Sequence, residues 1–449
     1  MGKYFGTDGF RGQANIDLNS NHAFLIGSFF GQLAANAQGE SKIVIGQDTR
    51  QSGDMFVNAL AAGITSAGAD AYVLGTVPTP GVAFVTKSYD FNFGIMVSAS
   101  HNPYQDNGIK VLNRYGEKLD EDTILQCEDY IDAGVDNVVL AKNEKIGTSR
   151  GFHAAHIRYI EHLKSCVNHS FDGLKIALDC ANGSASNIAG ELFRDLGASV
   201  HVLHNDPNGV NINVECGSIH LDSLCKYVKE NGYDMGFAFD GDADRCLAVD
   251  KFGNEVSGDE LMLLCARHLK NEGRLTNNTL VTTVMSNFGL YKALDSLEID
   301  YEKTAVGDKY VYENMVENNH CLGGEQSGHI IFKHFATTGD GMLTSLMVTD
   351  SLIELGETLD EAAAKMTVYP QLLINVTVKD KKFCMEDADV LQSIQDAEDE
   401  LGSEGRVLVR PSGTEPYIRV MAEASSDELC KKAVDSIIAV MKSCGHVKS

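Results

Sequence analysis

Apolar residues in this chain gather into short runs that end in polar residues, and the runs recur in pairs. "KIVIGQDTR" (42–50) reads as a strand with a polar tail. A helical stretch, "MFVNALAAGITSAG", follows, and then a second strand, "ADAYVLG". The same unit returns as "LKIALDCANGSAS", "IAGELFRDLG" and "ASVHVLH". A weaker copy reads "NTLVTTVMSNFG", "LYKALDSL" and "EIDYEKTAVG". Each copy has the size of a right-handed βαβ crossover, about 25 to 30 residues. Three copies predict three similar α/β domains with mixed sheets. Ligands in such folds collect beyond the carboxyl ends of the strands, where the polar tails lie.

From about Met366 the pattern changes. Short alternating strands ("LLINVTV", "RVLVRP", "YIRVMAE") and two helices ("DADVLQSIQDAEDEL", "SDELCKKAVDSIIAVMKS") predict a smaller α+β domain. The expected divisions are 1–150, 151–250, 251–365 and 366–449.

Composition narrows the function classes. The chain is 43% apolar and 22% charged, as in a globular protein. Its net charge of -26 argues against nucleic acid as a partner. No apolar run is long enough to cross a bilayer, so no membrane role is expected. The eleven cysteines show neither CxxC pairs nor zinc-type spacing. They read as reduced core residues of a cytoplasmic protein. A homodimer is kept open as an assembly state.

Four stretches carry chemistry. In "FAFDGDADR" a strand runs into Asp240, Asp242 and Asp244, followed by Arg245. Converging carboxylates repel unless a cation holds them, and an all-oxygen set suits Mg²⁺. An EF-hand is excluded, because Arg245 and Lys251 stand where that loop needs Gly and Glu. In "VSASHNPYQDNGIK", Ser100 and His101 precede an Asn-Pro turn, and Lys110 follows a Gly turn. Serine alone is a poor nucleophile, whereas phosphoserine beside a metal is a reactive phosphoryl donor. In "VRPSGTEPYIRVMAE", Arg410 and Arg419 flank the turn of Ser412, Gly413 and Thr414, a combination suited to phosphate. In "LGGEQSGHIIF", Glu325, Ser327 and His329 alternate across a Gly-rich loop, an arrangement suited to sugar hydroxyls.

In their order along the chain, "FGTDGFRG", "SASHNPYQDNGIK", "DGDADR", "GEQSGH" and "RPSGTEPYIR" resemble the markers of the α-D-phosphohexomutase superfamily. "DPNGVNINVECGSIH" and "TAVGDKYV" lie between them. The resemblance spans the whole chain. It implies four domains around a central cleft, the first three alike. It implies that Ser100 is the phosphorylated serine and that Mg²⁺ is held by Ser100, Asp240, Asp242 and Asp244, with Arg245 close by. Glu325 and Ser327 would contact the sugar, and Arg410, Ser412, Gly413, Thr414 and Arg419 would hold the phosphate that is not reacting. Arg11, His101, Lys110 and His329 would surround the proton transfers and the phosphoserine.

Gln326 and Gly6-Thr7-Asp8-Gly9 fit the branch acting on glucosamine phosphates. Phosphomannomutases tend to have Met where Gln326 stands, and Phe10 replaces the usual Ile or Leu. The implied reaction converts glucosamine 6-phosphate to glucosamine 1-phosphate through glucosamine 1,6-bisphosphate, and so feeds UDP-N-acetylglucosamine synthesis. A phosphoglucomutase, a phosphomannomutase, a phosphatase and a non-catalytic sugar-phosphate binder are the alternatives. The intact serine and Asp triplet speak against the last.

Overall fold

The three βαβ repeats each form a parallel pair, the first with a register shift between Ile45 and Gly46. Strand Lys42–Gln47 pairs with Asp70–Thr76, Lys175–Asp179 with Ser199–Leu203, and Thr279–Thr283 with Asp300–Thr304. The computed structural model describes residues 2–412 and 415–448. Those residues form sheets of six, five, four and three strands. The first three sheets are mixed, and each adds an antiparallel pair to its parallel strands. The fourth is wholly antiparallel and belongs to the smaller α+β region expected from Met366 onward.

The antiparallel pairs place the chemistry, because each signature loop is the turn joining one of them. Residues 98–105 join strands Phe93–Val97 and Asp106–Leu112. Residues 240–245 join Met235–Phe239 and Cys246–Asp250. Residues 325–329 join Leu322–Gly324 and Ile330–Phe332, and strand Gly405–Pro411 pairs with Tyr417–Ala424. A hairpin turn is held at both ends by its own ladder, so a side chain on it has a fixed origin.

Two compact units emerge. One holds the residues up to Met285 together with Ile299–Ala364, and the other holds Ser286–Glu298 together with the residues from Lys365 on. In the first, helices Ser20–Asn36 and Gly53–Ser66 pack on each other over a core that includes Phe30, Ile43, Ile45, Leu60, Ile95 and Val97. The first strand, Phe10–Gln13, pairs with Asp106–Leu112, and strand Ser149–Gly151 closes the far edge of that sheet. The segment before Phe10 is anchored by one side chain. Glu128, buried on helix Glu121–Ala133, accepts the N–H groups of Lys3, Tyr4 and Phe5 at 2.8, 2.7 and 2.7 Å.

In the second unit, helices Ala388–Leu401 and Asp427–Ser443 pack on each other and on the three-stranded sheet. A short helix, Lys381–Glu386, lies in a stretch where the sequence pattern predicts none. Helix Phe288–Ser296 belongs here too, although its flanking strands lie in the first unit. Glu423 ties it down by accepting the Phe288 N–H at 3.0 Å, and Arg406 stacks on Tyr291.

All eleven cysteines are free, and nine are buried, in keeping with their reading as core residues. Among the described residues, no helix is long and apolar enough to cross a membrane.

Candidate active site

The first unit brings Ser100, His101, Lys110, Arg245, His329 and the Asp triplet into one cluster. Ser100 is 1% exposed, and its Oγ donates to Asp240 Oδ2 at 2.5 Å. His101 Nδ1 lies 3.2 Å from the same oxygen. Lys110, 6% exposed, donates to Asp242 Oδ2 at 2.8 Å and to Asp244 Oδ2 at 3.3 Å. His329 Nδ1 sits 3.7 Å from Asp244 Oδ1, and Arg245 Nε sits 3.9 Å from it.

Asp240, Asp242 and Asp244 each offer an oxygen within 4.8 Å of the others, and all three are buried. Burial, reinforced by Asp244 and Asp242, pushes the Asp240 carboxyl well above the usual range. Burial acts on Asp244 in the same direction, but Lys110 and His329 outweigh it and hold that group well below the range. Asp242 Oδ1 and Asp244 Oδ1 are buried with no hydrogen-bond partner. An orphaned carboxylate oxygen in a protein interior is costly. Two such oxygens within a cluster of carboxylates fit a hard divalent cation such as Mg²⁺. Asp240, Asp242 and Asp244 would hold it, with the Ser100 oxygen against Asp240.

The surrounding charges are set for anions. Burial opposes the charge on Lys110, but Asp242, Asp8 and Asp244 outweigh burial and keep it protonated. Burial, Arg245 and Arg11 push His101 down to about 4, so its ring is neutral near pH 7. Burial also opposes a charge on His329, yet Asp244 lifts it to about 9. The Gly339 N–H, 3.0 Å from His329 Nε2, pulls the other way, because it needs a lone pair on that nitrogen.

Several members of the cluster carry no role in the sequence reading. Asp8 pairs with Arg11 and lies 3.7 Å from Lys110. Lys118 donates to Asp308 at 2.7 Å and to the Thr7 carbonyl at 3.0 Å. Thr79 Oγ1 donates to Asp242 Oδ2 at 2.5 Å. Asp8, Lys110, Lys118, Asp244 and Asp308 line a cavity of about 240 Å³. Asp8 and Asp308 fall inside "FGTDGFRG" and "TAVGDKYV", so their motifs were visible while their roles were not.

The loop of residues 325–329 is ordered by its neighbours. Glu325 Oε1 accepts the Gly307 N–H at 3.1 Å, and the buried Ser327 Oγ has no hydrogen-bond partner. Gly328 has φ +89°, and a Cβ there would meet the Cys246 carbonyl at 2.2 Å, so only glycine fits.

The second unit holds the remaining candidates. Arg410 and Arg419 are direct register partners across the final hairpin. Burial and Arg419 together lower the Arg410 guanidinium from its usual range. Arg419 Nε is buried without a partner. Ser412 is buried, and its Oγ accepts the Glu415 N–H at 3.3 Å. Gly413 and Thr414 lie outside the described residues.

The alpha/beta/alpha domains I, II and III of phosphoglucomutase/phosphomannomutase match residues 2–137, 157–253 and 257–369, and its C-terminal domain matches 373–440. A phosphoglucosamine mutase of Lachnoclostridium phytofermentans is 52% identical over 100% of both chains. One from Bacillus pumilus is 48% identical over 98% of this chain and 99% of that one. Among solved structures, a phosphoglucomutase/phosphomannomutase family protein of Burkholderia thailandensis has a TM-score of 0.84 at 25% identity, covering 99% of this chain and 98% of that one. The Aspergillus fumigatus N-acetylphosphoglucosamine mutase, in complex with GlcNAc-6P and magnesium, shares the fold with a TM-score of 0.66 at 17% identity, covering 98% and 96%. The chain belongs to the α-D-phosphohexomutase superfamily, an enzyme family of phosphosugar mutases, and within it to the phosphoglucosamine mutase group.

Proposed function

We propose that this protein interconverts glucosamine 6-phosphate and glucosamine 1-phosphate, with Ser100 as the phosphoryl carrier. One observation supports this most: the Ser100 hydroxyl touches the first of three buried carboxylates, two of which have an oxygen with no hydrogen-bond partner. A phosphoryl group on Ser100 Oγ would stand beside Lys110, Arg245 and the Asp triplet. A cation held by the triplet would supply charge neutralisation on that phosphoryl group, which is most of what phosphoryl transfer requires.

In the first half-reaction the substrate O1 hydroxyl attacks phosphorus, the bond from phosphorus to Ser100 Oγ breaks, and Ser100 regains a proton. In the second, Ser100 Oγ–H attacks the phosphorus of the 6-phosphoryl of the bisphosphate and gives up that proton, the bond from phosphorus to O6 breaks, and O6 takes up a proton to leave as a hydroxyl. Asp240 Oδ2, which accepts the Ser100 Oγ–H at 2.5 Å, and His101, whose Nδ1 is 3.2 Å from Oγ, would share in taking and returning the Ser100 proton. Lys110 stays charged and steadies the oxygens of the moving group. Glu325 and Ser327 would bind sugar hydroxyls. Arg410, Ser412, Gly413, Thr414 and Arg419 would hold the phosphate that is not reacting. The four domains are taken as 1–150, 151–250, 251–365 and 366–449. The free cysteines favour work in the cytoplasm.

Phosphopeptide mapping and turnover test this reading together. The active enzyme should carry phosphate on Ser100, and Ser100→Ala should lose mutase activity. A higher kcat/KM for glucose or mannose phosphates than for glucosamine phosphates would move the substrate assignment to the phosphoglucomutase/phosphomannomutase alternative.

A further inference from the structure

Ser100 sits at φ +52°, a left-handed backbone conformation that residues with a Cβ avoid. Something must hold it there, and the network around it identifies the holder. Arg50 follows strand Lys42–Gln47, and its side chain is fully buried. All five of its guanidinium N–H donors are used. Nε donates to Asp48 Oδ2 at 2.8 Å. One terminal nitrogen donates to the carbonyls of Pro103 and, at 3.0 Å, Asp106. The other donates to the carbonyls of Ser100 and Asn102, both at 2.8 Å. Three of the five bonds therefore end on the backbone of the serine loop and a fourth on Asp106, the first residue of the strand after it.

Asp48 closes the circuit. It accepts the Arg50 N–H at 2.9 Å and the Ser98 hydroxyl at 2.6 Å, and Ser98 Oγ accepts the Ser100 N–H at 2.9 Å. Both backbone polar groups of Ser100 thus lead to the Arg50–Asp48 pair. The pair carries no net charge, so it can grip the loop without competing for a phosphoryl group. A third holder reaches in from "DPNGVNINVECGSIH". Asn213 Nδ2 donates to the Ser100 carbonyl at 2.9 Å and to the Asn102 carbonyl at 3.1 Å. Its amide cannot be reversed, because Oδ1 would then face two carbonyl oxygens.

We infer that Arg50 and Asn213 are positioning residues for phosphoryl transfer: they clamp the Ser100 backbone so that Oγ meets Asp240 rather than swinging towards water. The inference rests on the phosphoserine reading above. Lysine cannot replace Arg50, since it has three donors on one nitrogen where the loop needs a planar fork of five.

The test uses full-length Arg50→Lys, Asn213→Ala and wild type, loaded with labelled glucosamine 1,6-bisphosphate and normalised to phosphoserine content by intact mass. A misplaced donor should lower kcat about 100-fold in Arg50→Lys. In Asn213→Ala the fall should be about 10-fold, with KM for glucosamine 6-phosphate within about threefold of wild type in both. The share of phosphoserine lost to water per turnover should rise about tenfold or more, because a loosened phosphoryl group is no longer shielded. A purely structural role would lower the melting temperature yet leave kcat per phosphoserine and the hydrolysed share unchanged. That result overturns the inference. If Arg50→Lys does not fold, Asn213→Ala decides, since it leaves the Arg50 clamp intact. A wild type that never carries phosphate on Ser100 would instead refute the phosphoserine reading, and the clamp's proposed role would fall with it.

Discussion

Arg410 and Arg419 face each other as a direct pair on neighbouring antiparallel strands. Like charges in that position destabilise a sheet unless an anion lies between them. Inorganic phosphate should therefore raise the melting temperature of the wild type, and Arg419→Ala should abolish most of that rise. Losing a charge-assisted hydrogen bond of about 1.5–3 kcal/mol should raise KM for glucosamine 6-phosphate about 10- to 100-fold, with kcat less affected. An unchanged KM would remove this pair from substrate binding.

Asp242→Asn should weaken Mg²⁺ binding more than 10-fold, since neutralising one of three oxygen ligands removes charge where the cation needs it. Calorimetric Mg²⁺ titration reads this directly and does not depend on turnover. Equal affinity in the variant would mean that the orphaned oxygens of Asp242 and Asp244 are not a cation site.

Gly241 touches the back of the serine loop. A Cβ there would lie 2.6 Å from the Ser100 carbonyl and 2.8 Å from Ile212 Cδ1. Gly241→Ala should cost about 1–3 kcal/mol of stability by overpacking. It should also cut kcat about 100-fold by moving Ser100 relative to Asp240. Thermal melts and steady-state rates on the same preparation separate the two effects. Wild-type kcat would show that this contact yields without moving the serine.

The Glu128 anchor gives the fold a pH dependence. Burial would raise this carboxyl, but the N–H groups of Phe5, Tyr4 and Lys3 outweigh burial and hold it below its usual value. A group lowered on folding stabilises the protein above its unfolded pKa, and that contribution is lost as pH falls through the folded pKa. Glu128→Gln should cost about 1–3 kcal/mol at pH 7, the scale of charge-assisted hydrogen bonds. The gap between the melting temperatures of variant and wild type should close as pH drops below about 4. A gap that stays constant from pH 7 to pH 3 would show that the carboxylate charge is not what anchors the segment.

The elements most legible in the sequence were those whose signal is local. The three βαβ repeats showed because apolar runs must alternate with a helix for a parallel pair to form at all. The Asp triplet, Ser100 and the Arg410 turn showed because each sits on one hairpin, where spacing along the chain equals spacing in the site. Lys118 and Asp308 did not show, since they meet across 190 residues of chain. Arg50 and Asn213 were hidden for a related reason: their partners are backbone carbonyls of another segment, which carry no mark in the sequence. Thr79 meets Asp242 across 163 residues and was equally silent.

Helix Phe288–Ser296 has a consequence for anyone cutting the chain. It folds with the residues from Lys365 on, yet both ends of its segment run back into the other unit. The smaller unit is therefore discontinuous, and three covalent crossings separate the two. A stop codon or protease cut near residue 365 would not yield two self-sufficient pieces. The first would keep a helix stripped of Arg406, Tyr369 and Glu423, and the second would lack the helix those side chains grip. An autonomous version of the smaller unit would need residues 286–298 grafted back onto it.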